Sequence, residues 1–228
     1  MSNTVCVIGN LNIDLIIRQV PHLPVWGQEV VGSSHALLSS GQAGYLAFAL
    51  ARLGIPVSVI ANVGPDAFGR QIVGDLRAAG VDVSGVETAE TETGISVAVV
   101  RADGERAFIS NLGCLRDYDE SLVERHWDRA AGADMVCLVG GSVLPALSAA
   151  ASARLLVRAR DAGSLTALDP GWDPNGWPPE TVAAATTTPQ QQPLPSPRTA
   201  RRWWWLNAAQ RAASPGAATR SCACRRAR

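Results

Sequence analysis

The chain has 228 residues, 47% of them hydrophobic and 18% charged, with a formal net charge of +0; this is enough apolar material for one sizeable core or two small ones, and a soluble globular protein is the expectation. No apolar run reaches the roughly 18 residues needed to cross a bilayer, and the start MSNTVCVIGNLNIDLII shows neither a basic leader nor a small-residue cleavage site, so a cytoplasmic location is expected. The neutral total hides an asymmetry: residues 1–180 carry all 20 acidic residues and 12 of the 20 basic ones, whereas 181–228 carry 8 arginines and no acid.

In chain order, TVCVIGN at 4–10 reads as a central strand, and LIIRQV at 15–20 as a second. SSGQAGYLAFALARLG, Ser39 to Gly54, sets a glycine turn ahead of an apolar helix. Leu46, Ala49, Leu50 and Leu53 share one face, and Gly54 with Pro56 supplies a stop, so the spacing predicts a helix over 43–53. VSVIANVG gives a strand at 57–63, and Asp66 caps a helix whose stripe of Phe68, Ile72, Leu76 and Ala79 ends at Gly80. From 94 to 110, GISVAVVRADGERAFIS forms two β-rich runs around Asp103-Gly104, a dipeptide suited to a tight hairpin. A helix near 119–130 carries Leu122, Val123, His126 and Trp127, and DMVCLVG follows as a strand at 134–140. A further helix has Pro145 near its first turn and Leu147, Ala151, Leu155 and Ala159 at i+4 steps, before strand LTALD at 165–169. This alternation predicts a parallel sheet with helices on both faces. Cys6 and Cys137 fall inside apolar runs and read as buried thiols, with no disulfide or metal-ligand spacing among the five cysteines. After Glu180 neither periodicity continues, and the Pro, Gln, Ser and Arg-rich text is expected to stay outside the fold, the cluster Trp203 to Trp205 excepted.

A glycine turn at a helix start invites a phosphate-cradle reading. The spacing of Gly41-Gln42-Ala43-Gly44 fits neither Gly-x-Gly-x-x-Gly nor Gly-x-x-x-x-Gly-Lys-Ser/Thr, and on pattern alone it reads as a plain helix start. Taken alone, Asn12 and Asp14 read as turn stabilisers.

The order of short motifs adds to this. Gly9-Asn10-Leu11-Asn12-Ile13-Asp14, Pro24-x-x-Gly27-x-Glu29, Ser40-Gly41-Gln42-Ala43-Gly44-Tyr45-x-Ala47, Val63-Gly64-Pro65-Asp66-x-x-Gly69, Ala79-Gly80-Val81-Asp82, Thr93-Gly94, Asp103-Gly104-Glu105-Arg106 and Leu168-Asp169-Pro170 follow one another. Over about residues 4–180 this set resembles the PfkB, or ribokinase, family of sugar and nucleoside kinases. The resemblance implies an α/β fold: a ribokinase-like, doubly wound, mainly parallel sheet in three α/β/α layers, with a small β lid from about 15–40 and 94–110. Residues 1–182 would then be the sugar-binding part and 183–228 a tail that is frameshifted or disordered, leaving the C-terminal part of the fold missing. It further implies ATP and Mg²⁺ as co-substrates, a sugar or nucleoside hydroxymethyl as acceptor, and a homodimer through the lid as an option. By resemblance the substrate-binding residues are Asn12, Asp14, Gly41, Gln42 and Tyr45. A carboxylate and a carboxamide suit sugar hydroxyls because one accepts while the other both donates and accepts. The family usually has Gly-Gly where this chain has Ser40-Gly41, Asn where it has Tyr45, and in some members an acidic contact near Gly141.

Family catalysis uses an Asp base after a Gly-Ala-Gly turn whose N–H groups stabilise the transferring phosphoryl group. The sequence contains no Gly-Ala-Gly-Asp and no Asn-x-x-Glu after Asp169, and neither Asp169 nor Asp173 is assigned as base. The expectation is a kinase by descent that is inactive as written, with a change of reading frame near residue 183 as the simplest source of the Arg, Pro and Trp-rich text. A non-catalytic sugar-binding or regulatory protein is the alternative, and nucleic-acid binding through the tail the lesser one, because the tail replaces catalytic sequence.

Overall fold

The computed structural model describes residues 4–169 and Gly171. Five strands make a parallel sheet in the order β5-β4-β1-β8-β9: β1 (Val5–Gly9), β4 (Val57–Val63), β5 (Asp82–Thr88), β8 (Met135–Val139) and β9 (Leu165–Asp169). The four strands expected at 4–10, 57–63, 134–140 and 165–169 therefore lie side by side. Val5 pairs with both Val57 and Met135, so β1 sits at the centre. VCVIG is buried at every position, as a strand covered on both faces must be. Ile8, Ile60, Leu138, Leu155 and Leu156 are fully buried, each contributing about 1.5–3 kcal/mol relative to an exposed side chain.

The helices follow from the crossover rule. Strand order runs outward from β1 through β4 to β5, then back to β8 and β9, so right-handed connections put α1 (Gln42–Arg52) and α2 (Ala67–Ala78) on one face. α3 (Glu120–Arg125), α4 (Trp127–Ala131) and α5 (Ala149–Asp161) lie on the other. Bidentate pairing of Arg154 with Glu120 and the Arg158 guanidinium 4.0 Å above the Trp127 ring tie α5 to its two partners.

A second, four-stranded sheet forms the lid: β2 (Asn12–Arg18), β3 (Ser34–Ser40), β6 (Ile95–Val100) and β7 (Arg106–Asn111), in the order β3-β2-β6-β7. Its two outer pairings are antiparallel and the central β2–β6 pairing is parallel. Gly104 takes φ +91° in the turn between β6 and β7, where Asp103-Gly104 is expected to turn the chain.

Two helical expectations need correction. The single helix over 119–130 is broken at His126, whose backbone leaves helical values (φ −117°, ψ 18°); its Nε2 lies 2.8 Å from Glu87 Oε1 at the end of β5. Pro145 is not in the first turn of a helix: Ser148 is the N-cap of α5, its hydroxyl accepting from Ala151 N at 3.1 Å, and Pro145 lies upstream. The 183–228 segment, with Trp203 to Trp205, lies outside the described residues.

Candidate functional site

The chain crosses between the two sheets four times, and the site lies at one pair of crossings. Gly9 ends β1 tight against β8; a Cβ built on it would come 2.4 Å from Val139 O. Asn10 and Leu11 then step into β2. Because side chains alternate along a strand, Asn12 and Asp14 share one face, while Ile13 between them points the other way and is fully buried.

Gly41 is where β3 returns to the core. It has φ +88°, and a Cβ there would come 2.2 Å from Asn10 O, so both backbone angle and space require glycine. The turn brings α1 in beside β2. The Gln42 N–H donates to Asn10 Oδ1 at 3.2 Å, the Asn10 amide to Asn12 Oδ1 at 2.9 Å, and the Asn12 amide to Asp14 Oδ1 at 2.9 Å. The Asn12 amide also reaches Ser40 Oγ at 3.0 Å, and the Ser40 hydroxyl donates to Asn12 O at 2.8 Å. One helical turn on, the Tyr45 hydroxyl donates to Asp14 Oδ2 at 2.7 Å. Each member of this relay holds the next, so the Asp14 carboxylate is fixed in direction.

Burial pushes the Asp14 carboxyl up, against the lowering effect of the bonds from Tyr45 and Asn12. The Tyr45 phenol is pushed up by burial first and by the Asp14 charge second, so it remains a donor at neutral pH. The Gln42 carboxamide lies between the carboxyl ends of β8 and β9: a Cβ on Gly140 would come 2.6 Å from its Oε1, and one on Gly171 would come 2.5 Å from its Nε2. Asn12, Asp14, Gly41, Gln42 and Tyr45 thus gather at the carboxyl end of the parallel sheet, where open α/β sheets take ligands. Gly141 begins a short 3-10 turn beside them.

Several neighbours were not anticipated. In cross-strand register Asp14 opposes Ser96 on β6, and Ser96 opposes Ser110 on β7, so all three share a face. The two serine hydroxyls are 2.8 Å apart. The signal was present in ISVAVV and RAFIS, where a serine on an otherwise apolar strand marks a polar position. Asn10, buried to 3% exposure, was read only as part of a motif. Asn62 at the end of β4 is likewise buried; its amide donates to Cys114 O at 2.8 Å, while its Oδ1 meets no donor among the described residues.

The second pair of crossings is pinned by Asp66. Its Oδ1 accepts from Gly69 N at 2.8 Å as the α2 cap and from the Thr93 hydroxyl at 2.8 Å, and its Oδ2 accepts from Thr93 N at 2.7 Å. Cys114 N donates to Glu92 O at 2.8 Å where the lid returns. Desolvation pushes the Asp66 carboxyl up most strongly of any single effect, but the bonds from the Gly69 and Thr93 N–H groups and the Thr93 hydroxyl together outweigh it and hold the carboxyl below its ordinary value.

Among the described residues no three His, Cys, Asp or Glu side chains cluster to hold a metal ion. At the α1 start the Gln42 N–H donates to Asn10 Oδ1. No helix among them is long and apolar enough to cross a membrane.

Comparison with known proteins points one way. The model of the pfkB family carbohydrate kinases matches residues 2–190. The ribokinase of Bacillus subtilis (strain 168) is 30% identical over 135 residues, which cover 59% of this chain and 45% of that protein. The ATP-dependent ribose-1-phosphate kinase of Halopiger xanaduensis is 34% identical over 164 residues, covering 72% and 52%. The chain thus spans about half the length of these relatives. The structure of Arabidopsis thaliana ribokinase complexed with ribose and ATP superposes with a TM-score of 0.68 at 22% identity, covering 81% of this chain and 58% of that one, which shows the shared fold.

Proposed function

We propose, from the premise that the chain belongs to the pfkB family of carbohydrate kinases, that the seam between its two sheets binds a sugar through Asn12, Asp14, Gly41, Gln42 and Tyr45. The observation that carries this reading is the relay ending on Asp14: a half-buried carboxylate, aimed by Asn12 and Tyr45, at the carboxyl end of the parallel sheet. A carboxylate held this way retains lone pairs for hydroxyl donors. Glycine at Gly41 lets backbone approach the same ligand, and Gln42 offers both a donor and an acceptor. A ribose-like or fructose-like acceptor is the class that the ribokinase likeness supports, in a cytoplasmic setting.

Phosphoryl transfer is a separate matter. No Asp or Glu follows Glu180 in this sequence, and no Gly-Ala-Gly-Asp occurs in it. We therefore read this 228-residue polypeptide as a sugar binder without kinase turnover of its own, with ATP and Mg²⁺ belonging to the family's full reaction. The lid's outer face, where Leu37 and Ile109 are 40% and 67% exposed, is the surface on which a homodimer would form.

The test is direct. Calorimetric titration of the chain with ribose, fructose and nucleosides is expected to show binding by one class, weakened at least about 10-fold by Asp14→Ala, the loss of a charge-assisted hydrogen bond. A coupled ADP-release assay with the same sugars is expected to stay at background. Binding indifferent to Asp14→Ala would refute the site, and turnover at ordinary kinase rates would refute the inactivity. Sedimentation equilibrium of the chain and of Ile109→Asp decides the dimer.

A further inference from the structure

We propose that Ser96 and Ser110 of the lid complete the seam: Ser96 donates to the same sugar hydroxyl that gives its proton to Asp14, and Ser110 holds Ser96 in the orientation for it. The inference rests on the sugar-site reading above and adds the side of the ligand that faces the lid. Asp14, Ser96 and Ser110 stand opposite one another on β2, β6 and β7, so their side chains share one face. Ser96 is half-buried and Ser110 exposed, and a ligand can reach both. Neighbouring strands lie about 4.8 Å apart. That spacing is long for a direct bond between Asp14 and Ser96 and suits one oxygen placed between them, about 2.7–2.8 Å from each.

The donors and acceptors balance around such an oxygen. Asp14 Oδ1 accepts from the Asn12 amide and Oδ2 from the Tyr45 hydroxyl, one donor each, so both keep a free position. The two serine hydroxyls are 2.8 Å apart; sharing one bond uses one of their two protons, and the pair presents the other outward. A ligand hydroxyl that donates to Asp14 has lone pairs left for that O–H. The chain then runs from Ser110 to Ser96 to the ligand to Asp14, and because it ends on a charge each bond strengthens the next. The next row on the same face is apolar: Ala36, Ile16, Ala98 and Phe108 oppose one another across the four strands, and Ala98 is buried. The serines are therefore the polar edge of an apolar wall, which suits a sugar ring with a hydroxyl edge and a C–H face. They select a hydroxyl that both donates and accepts; a hydrogen or a methyl ether in its place breaks the chain.

The experiment is calorimetric titration with D-ribose and D-fructose of the full chain, of Ser96→Ala, Ser110→Ala and their double variant, and of Asp14→Ala, with circular dichroism melts as the fold control. For the sugar that binds more tightly, Ser96→Ala is expected to weaken binding about 5-fold, the worth of one neutral hydrogen bond. Ser110→Ala is expected to weaken it about 2-fold, by loss of the polarising bond, and to add nothing once Ser96 is alanine, as for groups that act through one another. Additive losses would overturn the chain through Ser96. Wild-type affinity in Ser96→Ala, with Asp14→Ala still weakened, would overturn the lid contact and leave the sugar site standing. No binding of either sugar, or binding indifferent to Asp14→Ala, would overturn the sugar site and this inference with it.

Discussion

β1 of the parallel sheet and β6 of the lid have similar sequences, VCVIG and ISVAVV, yet every residue of β1 is buried and only Ala98 of β6 is. The difference lies in what covers them. β1 has helices on both faces, whereas the lid meets α1 and α2 through β2 and β3, as where the Ser39 hydroxyl donates to Asp75 of α2 at 2.5 Å. An apolar strand thus shows that a sheet will form, and its place in the layers decides how much stability it contributes. The site sits where the two regimes join, so its residues are held by hydrogen bonds more than by packing.

This contrast can be broken most sharply by paired truncations. Leu138→Ala in β8 should cost about 2–5 kcal/mol, the usual range for an emptied core position, while Phe108→Ala in β7, 56% exposed, should stay within about 0.5 kcal/mol. Urea melts of both would check this, and equal costs would show that the lid is packed like the core. At the seam, Gly41→Ala should cost roughly 2–3 kcal/mol through the positive φ and the close approach of Asn10 O, with sugar binding lost in the same variant.

At the other crossing, Asp66→Ala should cost about 1–2 kcal/mol, as for a lost helix cap, and should speed amide exchange at Thr93 and Gly94 before exchange in β1 changes. The pH dependence has a definite sign. Because the Asp66 carboxyl is held below its ordinary value, its contribution is present above that value and disappears as pH falls through the folded one. Asp66→Ala should therefore flatten the acid limb of the stability curve. Asp14 runs the opposite way: its raised carboxyl loses stability for the fold as pH rises above the ordinary carboxylate range. Asp14→Asn should abolish sugar binding yet raise the neutral-pH Tm by roughly 2–4 °C, the shift that about 1 kcal/mol gives in a domain of this size. A fall in Tm would mean that the charged carboxylate, not the cavity around it, organises the seam.

The parallel sheet was legible because VCVI, VSVI and MVCLV are apolar at consecutive positions, which only a doubly covered strand tolerates. β3 and β5 were not, since SHALLSS and DVSGVET mix polar residues on strands with a single buried position each, and edge position weakens the alternation. Asn12, Asp14 and the glycine turn could be picked out through the ordered motifs. That Tyr45 would reach Asp14 could not, because the contact joins a helix to a strand 31 positions away and depends on the angle at which Gly41 launches α1. His126 was read as helical because the apolar stripe runs through it; the pull of Glu87 from a neighbouring strand left no local mark.

The central pairing of the lid bears on how the molecule assembles itself. Ile13 aligns with Ile95 and Asp14 with Ser96, partners roughly 80 residues apart, and closing so long a loop is slow because its entropy is lost before any contact compensates. The β6–β7 hairpin can zip by itself around Gly104, and β2 can fold back on β3, but the two hairpins meet only after the intervening β4-α2-β5 unit has brought their ends together. The row that contains Asp14 is therefore expected to be among the last native contacts to form and among the first to open. A ligand bound there would slow unfolding and leave the folding rate nearly unchanged, a kinetic signature that stopped-flow measurements with and without sugar would reveal.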